Sequence, residues 1–411
     1  MPEYRYEAGE AGGSLMTSGR RVPLRRGEAP PHPTFLELFF DLALVFALFE
    51  VSGTLLQHLD WTGGLQDLVL FVVVWRIWFM TTWITNRLDQ TWWPVQLMVI
   101  LTLTGGLILA VAVPAAFGRN GLIFAGVNVG IRMGQHLFVG LILRGHEMQR
   151  IAIGALVWTV ASLPAWIAGG LTHGVARGVL WAVGVTVDYF AMSANFRIPG
   201  QTRTETTEAP VAAEHLAERY RQVYIIALGE LIVASALTLG GEGFRRDRTA
   251  AFLITVATTV LLWRIYIHRA GQLLSSAFAA RVVSPRMARW AGHVHLAMVA
   301  GLVVTAVGDE LVIVHPSERT PLTWAVVMLG GPALFLVGRA GMQYLVFARV
   351  SPDRMLGLLA LGAVAAAALH LDALLTDTAA TLVLAGIAIT DGLRDRRHPA
   401  EPPTPPVPRP S

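Results

Sequence analysis

The stretch FLELFFDLALVFALFE, residues 35–50, is apolar enough to enter a membrane as a helix, yet it contains Glu37, Asp41 and Glu50. A charge at the centre of a bilayer costs at least ~2.5–3.5 kcal/mol on insertion scales, so charged residues in membrane helices usually face a bundle interior or an aqueous cavity. The stretch therefore predicts a membrane helix that is buried among other helices or that lines a cavity.

The composition of the whole chain supports this interpretation. Of its 411 residues, 54% are hydrophobic and only 15% are charged, which is far from the balance of a soluble protein. Cysteine is absent, which excludes disulfides and thiolate metal sites. The basic residues, all of them arginine, are not clustered with exposed aromatic residues, so we do not expect nucleic acid as a partner.

Hydropathy divides the chain into membrane-spanning segments. A bilayer core needs about 20 apolar residues per helix, and backbone hydrogen bonds must close within the segment, so we predict an all-α polytopic membrane protein with about 12 transmembrane helices. The end of the eighth span, near His268, is not fixed by the pattern. The predicted spans are 35–57, 66–86, 94–117, 121–143, 151–170, 175–194, 217–240, 249–268, 290–313, 322–347, 354–371 and 373–391.

The termini are polar and are expected to lie on one side of the membrane. Loop arginines are concentrated on the side of the N-terminus, which predicts that both termini are cytoplasmic. Residues 1–34 have no short apolar core with a cleavage site and are predicted to form a retained, disordered cytoplasmic arm. Residues 394–411 are rich in proline and are predicted to form a disordered tail.

Internal repetition indicates a duplication. ALFE at 47–50 recurs as ALGE at 227–230, and VVWRIWF at 73–79 recurs as LLWRIYI at 261–267, in the same order along the chain. Because six helices per unit is an even number, the two units should have the same orientation. We therefore predict two parallel six-helix repeats, residues 35–196 and 217–393, joined by a cytoplasmic linker at 197–216.

The repeat assigns equivalent positions to the charges within the spans. Glu50 corresponds to Glu230 and Arg76 corresponds to Arg264, and similar depths in neighbouring helices predict the ion pairs Glu50–Arg76 and Glu230–Arg264. Such pairs could belong to a transport site, or they could only fix the register of the helices.

Helix 4 is expected to pack with one side and to present a cation with the other. Gly126, Gly130 and Gly134 form a stripe of small residues suited to close helix packing, and Arg132 lies on a different face. Asp309 and Glu310, near the outer end of helix 9, are expected to be interfacial. His293 and His295 lie on different faces of one helix and cannot share a metal.

No catalytic motif is present. The sequence lacks a Gly-rich phosphate loop, an HExxH motif and a nucleophile elbow, so no catalytic residue, cofactor or metal site is predicted. An intramembrane enzyme stays open only through Asp, Glu and His combinations that the sequence does not arrange.

Three blocks of sequence resemble the signatures of a known family. ELFFDLALVFALFEVS at 37–52, WRIWFMTTWITNRLD at 75–89 and EHLAERYRQVYIIALGELIVA at 214–234 look like those of the bacterial low temperature requirement protein A family, a set of polytopic membrane proteins. The resemblance implies a bacterial cytoplasmic (inner) membrane location and no established activity. The family pattern falls on Glu37, Asp41, Asn86, Arg87, Asp89, Glu218, Arg219, Gly229 and Glu230.

The helix 1 pattern Phe39-Phe40-Asp41 is also similar to that of two-repeat, six-helix potassium-permeable channels, which have a Phe-Ser-Asp motif there. We therefore expect a transporter or ion-conducting protein whose partners are the lipid bilayer and a small ion or proton, with helices 1 and 7 facing each other. The alternative is a non-transporting structural or stress-related protein. Candidate ion or substrate residues are Glu37, Asp41, Glu50, Arg76, Arg132, Glu218, Arg219, Glu230 and Arg264, and Asn86, Arg87, Asp89 and Gly229 are structural motif residues.

Overall fold

Helices make up nearly all of the described chain. The computed structural model describes residues 16–17, 20–21, 24–25, 32–146, 148–198, 212–279, 285–397 and 403–404. The short strands are β1 (Met16–Thr17) and β2 (Arg20–Arg21), and a single 3-10 turn, Val113–Ala115, follows α3. The α-helices are α1 (Phe35–Gln57), α2 (Trp61–Arg87), α3 (Trp93–Ala112), α4 (Gly121–Ile142), α5 (Met148–Leu171), α6 (Gly174–Ser193), α7 (Ala213–Glu242), α8 (Arg246–Ile267), α9 (Ala270–Ala279), α10 (Pro285–Val314), α11 (Leu322–Phe347), α12 (Pro352–Ala368) and α13 (Ala373–Arg397).

The protein is an all-α, multi-pass membrane protein. Ten helices of the described chain are long and apolar enough to cross a membrane, with α8 and α9 counting as one span, Arg246–Phe278. The other two are α1, with its three carboxylates, and α12, which has 17 residues. The helices agree in position with the predicted spans, and the eighth continues past His268 into α9.

Helix boundaries follow from local capping chemistry. The Thr34 hydroxyl accepts from the backbone N–H of Glu37 at 3.3 Å, and a Glu37 carboxylate oxygen accepts from the Thr34 N–H at 3.0 Å. This reciprocal capping box fixes the start of α1. Asp60 caps α2 by accepting from Gly63 N–H at 2.7 Å. The N-terminal position of Glu37 thus has a local explanation, whereas that of Asp41 does not.

Helices α1 and α7 lie side by side and run in the same direction. Polar side chains join Glu37 to His215, Asp41 to Arg219 and Ser52 to Glu230, and in each contact the two residues are 178 positions apart. A constant separation over four turns requires parallel helices in one register. We call the end of the bundle where α1 and α7 begin the proximal face, and the end where they finish the distal face. The prediction that these helices face each other is confirmed.

The two halves of the chain have the same pattern of neighbours. In the first half, α1 packs on α2 and α3, α3 on α4, α4 on α5, and α6 on α5 and α2. In the second half, α7 packs on α8 and α10, α10 on α11, α11 on α12, and α13 on α12 and α8. Contacts of α1 and α2 with α7 and α10 join the halves.

The closest helix packing occurs between α10 and α11, not at α4 as predicted. Gly331 faces Thr305 and Gly301 so closely that a Cβ atom there would lie 2.6 Å from the Thr305 nitrogen and 2.9 Å from the Gly301 oxygen. Small residues permit this approach of two backbones.

The predicted packing stripe on α4 is wrong. Gly126, Gly130 and Gly134 are exposed on the outside of the bundle, and a Cβ atom at each would meet no atom within 4 Å. The spacing identified one face of α4 correctly, but it could not show that this face points outward.

Parts of the termini contact the bundle. Leu24 pairs with Leu88 in a β-bridge, and Arg25 N–H donates to the Arg87 carbonyl at 2.8 Å. Thr404 N–H donates to the Val346 carbonyl at 2.9 Å. The rest of the predicted disordered arm and tail, and residues 199–211 of the predicted linker, lie mostly outside the described residues, so these boundaries stay predictions.

Two adjacent glycines provide a test of the α10–α11 contact. Gly331→Ala should lower the free energy of unfolding by about 1–3 kcal/mol, because the added methyl group must displace backbone. Gly330→Ala is the matched control, since a Cβ atom there meets nothing within 4 Å. Thermal unfolding in detergent measures both, and equal midpoints for the two variants would contradict this packing.

Candidate functional site

A buried network of charges occupies the proximal end of the α1–α7 contact. Arg219 donates through two nitrogens to the two oxygens of Asp41, at 2.8 and 2.9 Å, and both side chains are fully buried. The indole N–H of Trp78 donates to Asp41 at 3.0 Å. Bidentate guanidinium–carboxylate pairs fix orientation as well as distance. We call these residues, together with Glu37, His215 and Asn86, the seam network.

Glu37 is held by two neighbouring helices at once. Its carboxylate accepts from the Thr85 hydroxyl of α2 at 2.7 Å and contacts His215 Nε2 of α7 at 3.1 Å. Its other neighbour is Arg219, whose Nε lies 3.6 Å away. Every carboxylate oxygen of Glu37 and Asp41 therefore has a partner.

The hydrogen bonds define the tautomer of His215. Asn86 Oδ1 accepts from the Ala212 N–H at 3.1 Å, so the amide nitrogen Nδ2 must be the atom that faces His215 Nδ1 at 3.1 Å. Because that amide donates, Nδ1 accepts and Nε2 carries the hydrogen that is donated to Glu37. Two carboxylates then face one guanidinium, and Arg25, at the edge, also interacts electrostatically with Glu37.

The charges of the seam network are paired with one another. Every carboxylate oxygen has a hydrogen-bond partner, and of the Arg219 nitrogens only Nε has none. All three charged side chains are buried, and the residues belong to α1, α2 and α7 of both halves of the chain. This arrangement suits the fixing of helix positions better than the repeated binding and release of a ligand.

A second buried ion pair lies within the first half. Arg132 of α4 pairs with Asp188 of α6 and donates to Ser162 at 3.1 Å, while Trp166 N–H donates to Asp188 at 3.1 Å. Arg132 thus faces another helix of its own half, as a buried cation, and not a lipid or aqueous surface.

Two further buried arginines lie in the second half. Arg354 pairs with Asp391 at 2.6 Å. Arg339 donates to the carbonyls of Ile265 at 2.9 Å and His268 at 2.6 Å. The break between α8 and α9 interrupts the helical hydrogen bonds here, and the guanidinium adds to the Gly271 N–H, which donates to the His268 carbonyl at 3.3 Å.

The predicted pairs Glu50–Arg76 and Glu230–Arg264 are wrong. Within the described residues, Glu50, Arg76 and Arg264 form no ion pair. Glu230 accepts instead from the Ser52 hydroxyl at 2.7 Å. Ser52 follows Glu50 by two residues, about 200° around the helix, so the side of α1 that faces α7 excludes Glu50. The direction of each side chain around its helix was not available from the sequence.

Four carboxylates gather in the distal half, and no arginine or histidine of the described residues is paired with them. Glu230 of α7, Asp309 and Glu310 of α10 and Asp377 of α13 belong to this group, which we call the distal carboxylates. Glu310 accepts from Thr238 at 3.0 Å. Asp309 interacts electrostatically with the other three.

The distal carboxylates are incompletely paired. Glu230 Oε2, Asp309 Oδ2 and Asp377 Oδ2 are buried and have no hydrogen-bond partner in the described chain. No ion pair connects the group to an arginine or histidine within that same part of the chain. A group of three acidic or histidine residues placed to hold a metal ion is not found among the described residues either. The geometry therefore suits protons better than a chelated metal.

The sequence pointed to Glu230 but missed the other members. Asp309 was expected at the interface, and this is wrong, because it is buried between α7 and α13 neighbours. The sequence could have identified Asp377, because it is an acidic residue in the apolar first part of its helix. It could also have identified His215, which lies four residues before Arg219 and therefore on the same face of α7.

The remaining motif residues have local roles. Glu218 pairs with Arg221 one turn away, half-exposed. Asp89 accepts from Thr91 N–H at 2.9 Å in its turn. The Arg87 guanidinium lies 3.9 Å from the centre of the Trp83 ring. Gly229 has open space beside it. These residues do not join Glu37, Asp41 and Arg219 in a common site, whereas Asn86 does so through His215.

Loss of the Asp41 charge should be severe. Asp41→Asn leaves the Arg219 guanidinium buried with only the more distant Glu37, and removal of one partner from a buried pair typically costs about 3–5 kcal/mol of the free energy of unfolding. Glu218→Gln, one residue before Arg219, should cost only roughly 0–1 kcal/mol because its pair is solvent-accessible. Unfolding of both variants in detergent checks this, and an Asp41→Asn protein as stable as the control would show the pair to be dispensable.

Comparison with known proteins agrees with this architecture. The family model for the bacterial low temperature requirement A protein (LtrA) matches residues 32–389. An uncharacterised protein of Rhizobium meliloti (strain 1021) is 35% identical over 332 residues, which is 78% of each chain. No solved structure matches. The matched region includes Glu37, Asp41 and Arg219 of the seam network. The chain therefore belongs to the bacterial low temperature requirement A protein family.

Proposed function

We propose that this protein transports protons across the membrane and that the distal carboxylates are its proton-accepting site. The observation that carries the proposal is the set of buried, unpartnered oxygens of Glu230, Asp309 and Asp377. Several ionised carboxylates without a cation are strongly unfavourable in a low-dielectric interior, and binding of protons removes that cost. Ionisable groups inside membrane segments typically mark ion or proton pathways.

The distal carboxylates extend inward from the distal face. Glu310 bonds to Thr238, near the end of α7. Glu230 lies eight residues before Thr238 on the same helix, about 12 Å deeper. Asp309 interacts electrostatically with carboxylates at both levels. The group therefore offers a proton successive acceptors from the distal end towards the middle of the bundle.

An apolar layer lies between the distal carboxylates and the seam network. Ser52 and Asp41, which mark the two ends on α1, are eleven residues apart, about 16 Å along the helix. Between these levels, α1 and α7 present buried residues such as Leu44, Leu48, Val223 and Ala227. A layer of this kind stops continuous conduction, so the arrangement favours a carrier that changes conformation over an open pore.

The proposal includes the arrangement in the membrane. Twelve spans form two parallel six-helix repeats in a bacterial inner membrane, with both termini and the proximal face on the cytoplasmic side. The parallel α1 and α7, the matching neighbours in the two halves and the arginine-rich loops support this topology.

A structural role is the second candidate, and the seam network favours it. Glu37 and Asp41 are completely paired in a dry contact, as expected for charges that only specify helix packing. The two candidate functions make different predictions for the distal carboxylates, because a purely structural protein would not need them to bind and release protons.

Proton flux into liposomes distinguishes the two. Glu230→Gln and Asp309→Asn should lower gradient-driven acidification nearly to that of empty vesicles, because an amide cannot accept the transported proton. Glu318→Gln, at an exposed site, should retain wild-type flux. Unfolding midpoints of all variants separate loss of flux from loss of fold.

The structural candidate predicts a different result in the same assay. It is favoured if folded wild-type protein produces no flux under any proton gradient, or if both amide variants retain full flux.

Reporter fusions test the proposed topology. A fluorescent protein that folds only in the cytoplasm should fluoresce after Ser411, whereas alkaline phosphatase, which is active only outside, should be inactive there. Phosphatase inserted in the loop between α10 and α11 should be active. The reverse pattern would place the proximal face outside.

A further inference from the structure

We propose that a crevice between α2, α6 and α10 binds a small oxyanion in the proximal half of the bundle. Arg76 of α2, Tyr189 of α6, and Arg289 and His293 of α10 provide its polar lining, and Trp75 is part of its apolar wall. This site is separate from the distal carboxylates and does not depend on their role in proton transport.

Arg76 is the main evidence for a missing anion. It is 6% exposed, and within the described residues it forms no hydrogen bond and no ion pair. It interacts electrostatically with another cation, Arg132, whose own partner is Asp188. Arg132 thus has a carboxylate partner and Arg76 has none in the described chain, and an uncompensated buried cation is unfavourable. An anion in the crevice would restore the balance.

The other polar groups suit the same ligand. The Tyr189 hydroxyl is buried and has no hydrogen-bond partner in the described part of the chain, so it is available to donate. Arg289 lines the crevice and is positioned by Asn195, whose side-chain oxygen accepts from it at 3.3 Å. Three helices therefore present donors, and no carboxylate lines the crevice.

Size and surroundings restrict the class of ligand. The crevice itself has a free volume of about 10 Å³, room for about one water-sized group, within about 240 Å³ of space that includes open solvent, so only one small group of a ligand can enter it. A guanidinium forms paired hydrogen bonds with phosphate, sulfate or carboxylate oxygens. The apolar walls from Trp75 and Phe79 lower the local dielectric constant and strengthen such bonds. Inorganic phosphate, or the phosphate of a lipid headgroup, has the required chemistry.

Binding is tested with purified protein in an uncharged detergent. We expect sodium phosphate, compared with sodium chloride at equal ionic strength, to raise the midpoint of thermal unfolding in a concentration-dependent way. Arg76→Gln should abolish this rise. Arg264→Gln, the equivalent position in the second half and only half-buried, should retain it. A phosphate-dependent rise of equal size in Arg76→Gln and wild type would overturn the proposal.

Two further measurements cover folding and the source of the phosphate. Tyr189→Phe removes only a hydroxyl, and it should weaken the effect of phosphate even if Arg76→Gln does not fold. Delipidated protein is then offered phosphatidylglycerol or phosphatidylcholine in neutral-detergent micelles. Arg76-dependent stabilisation by lipid alone would identify a headgroup site, and stabilisation by free phosphate would identify a soluble ligand. Stabilisation by neither would refute an oxyanion site.

Discussion

The bidentate ion pair between Asp41 and Arg219 is the interaction on which the rest of the structure depends. It joins the first helix of one half to the first helix of the other, and it does so without water, between side chains that are fully buried. Because an unpartnered charge there would be very costly, α1 and α7 have one favourable register. Glu37 with His215 and Ser52 with Glu230 follow from that same register. This register accounts for two of the three carboxylates of α1, Glu37 and Asp41.

Saturated and unsaturated charges are separated in space. The seam network satisfies every carboxylate oxygen that it contains, whereas the distal carboxylates and Arg76 are left with unmet bonding capacity. The distal carboxylates have an excess of negative charge, and the surroundings of Arg76 have an excess of positive charge. The two lie towards opposite ends of the bundle. Proteins that bind and release charged species need groups with unmet bonding capacity. Fully paired charges provide the rigid frame around those groups.

The positions of the helices were accessible from sequence, but most side-chain partners were not. Runs of apolar residues mark the segments that can cross a membrane, so the helices agree in position with the predicted spans. Direction around the axis depends on neighbours far along the chain. Glu50 was therefore paired with Arg76 although Ser52 occupies the α7-facing side, and the glycines of α4 were assigned inward although they face out. Asp309 was missed because its partners come from α7 and α13.

The register of α1 and α7 has a consequence for how such a molecule can evolve. ALFE and ALGE align at a separation of 180, while contacts occur at 178, so each contacting side chain of α1 lies opposite a residue two positions from the one that aligns with it. In a symmetric dimer of identical subunits both helices have the same sequence, so each helix would have to carry the acids and the bases together. Covalent joining of the two units allows one helix to carry the acids and the other the bases. A charged seam of this kind is therefore available to a fused chain and denied to a homodimer.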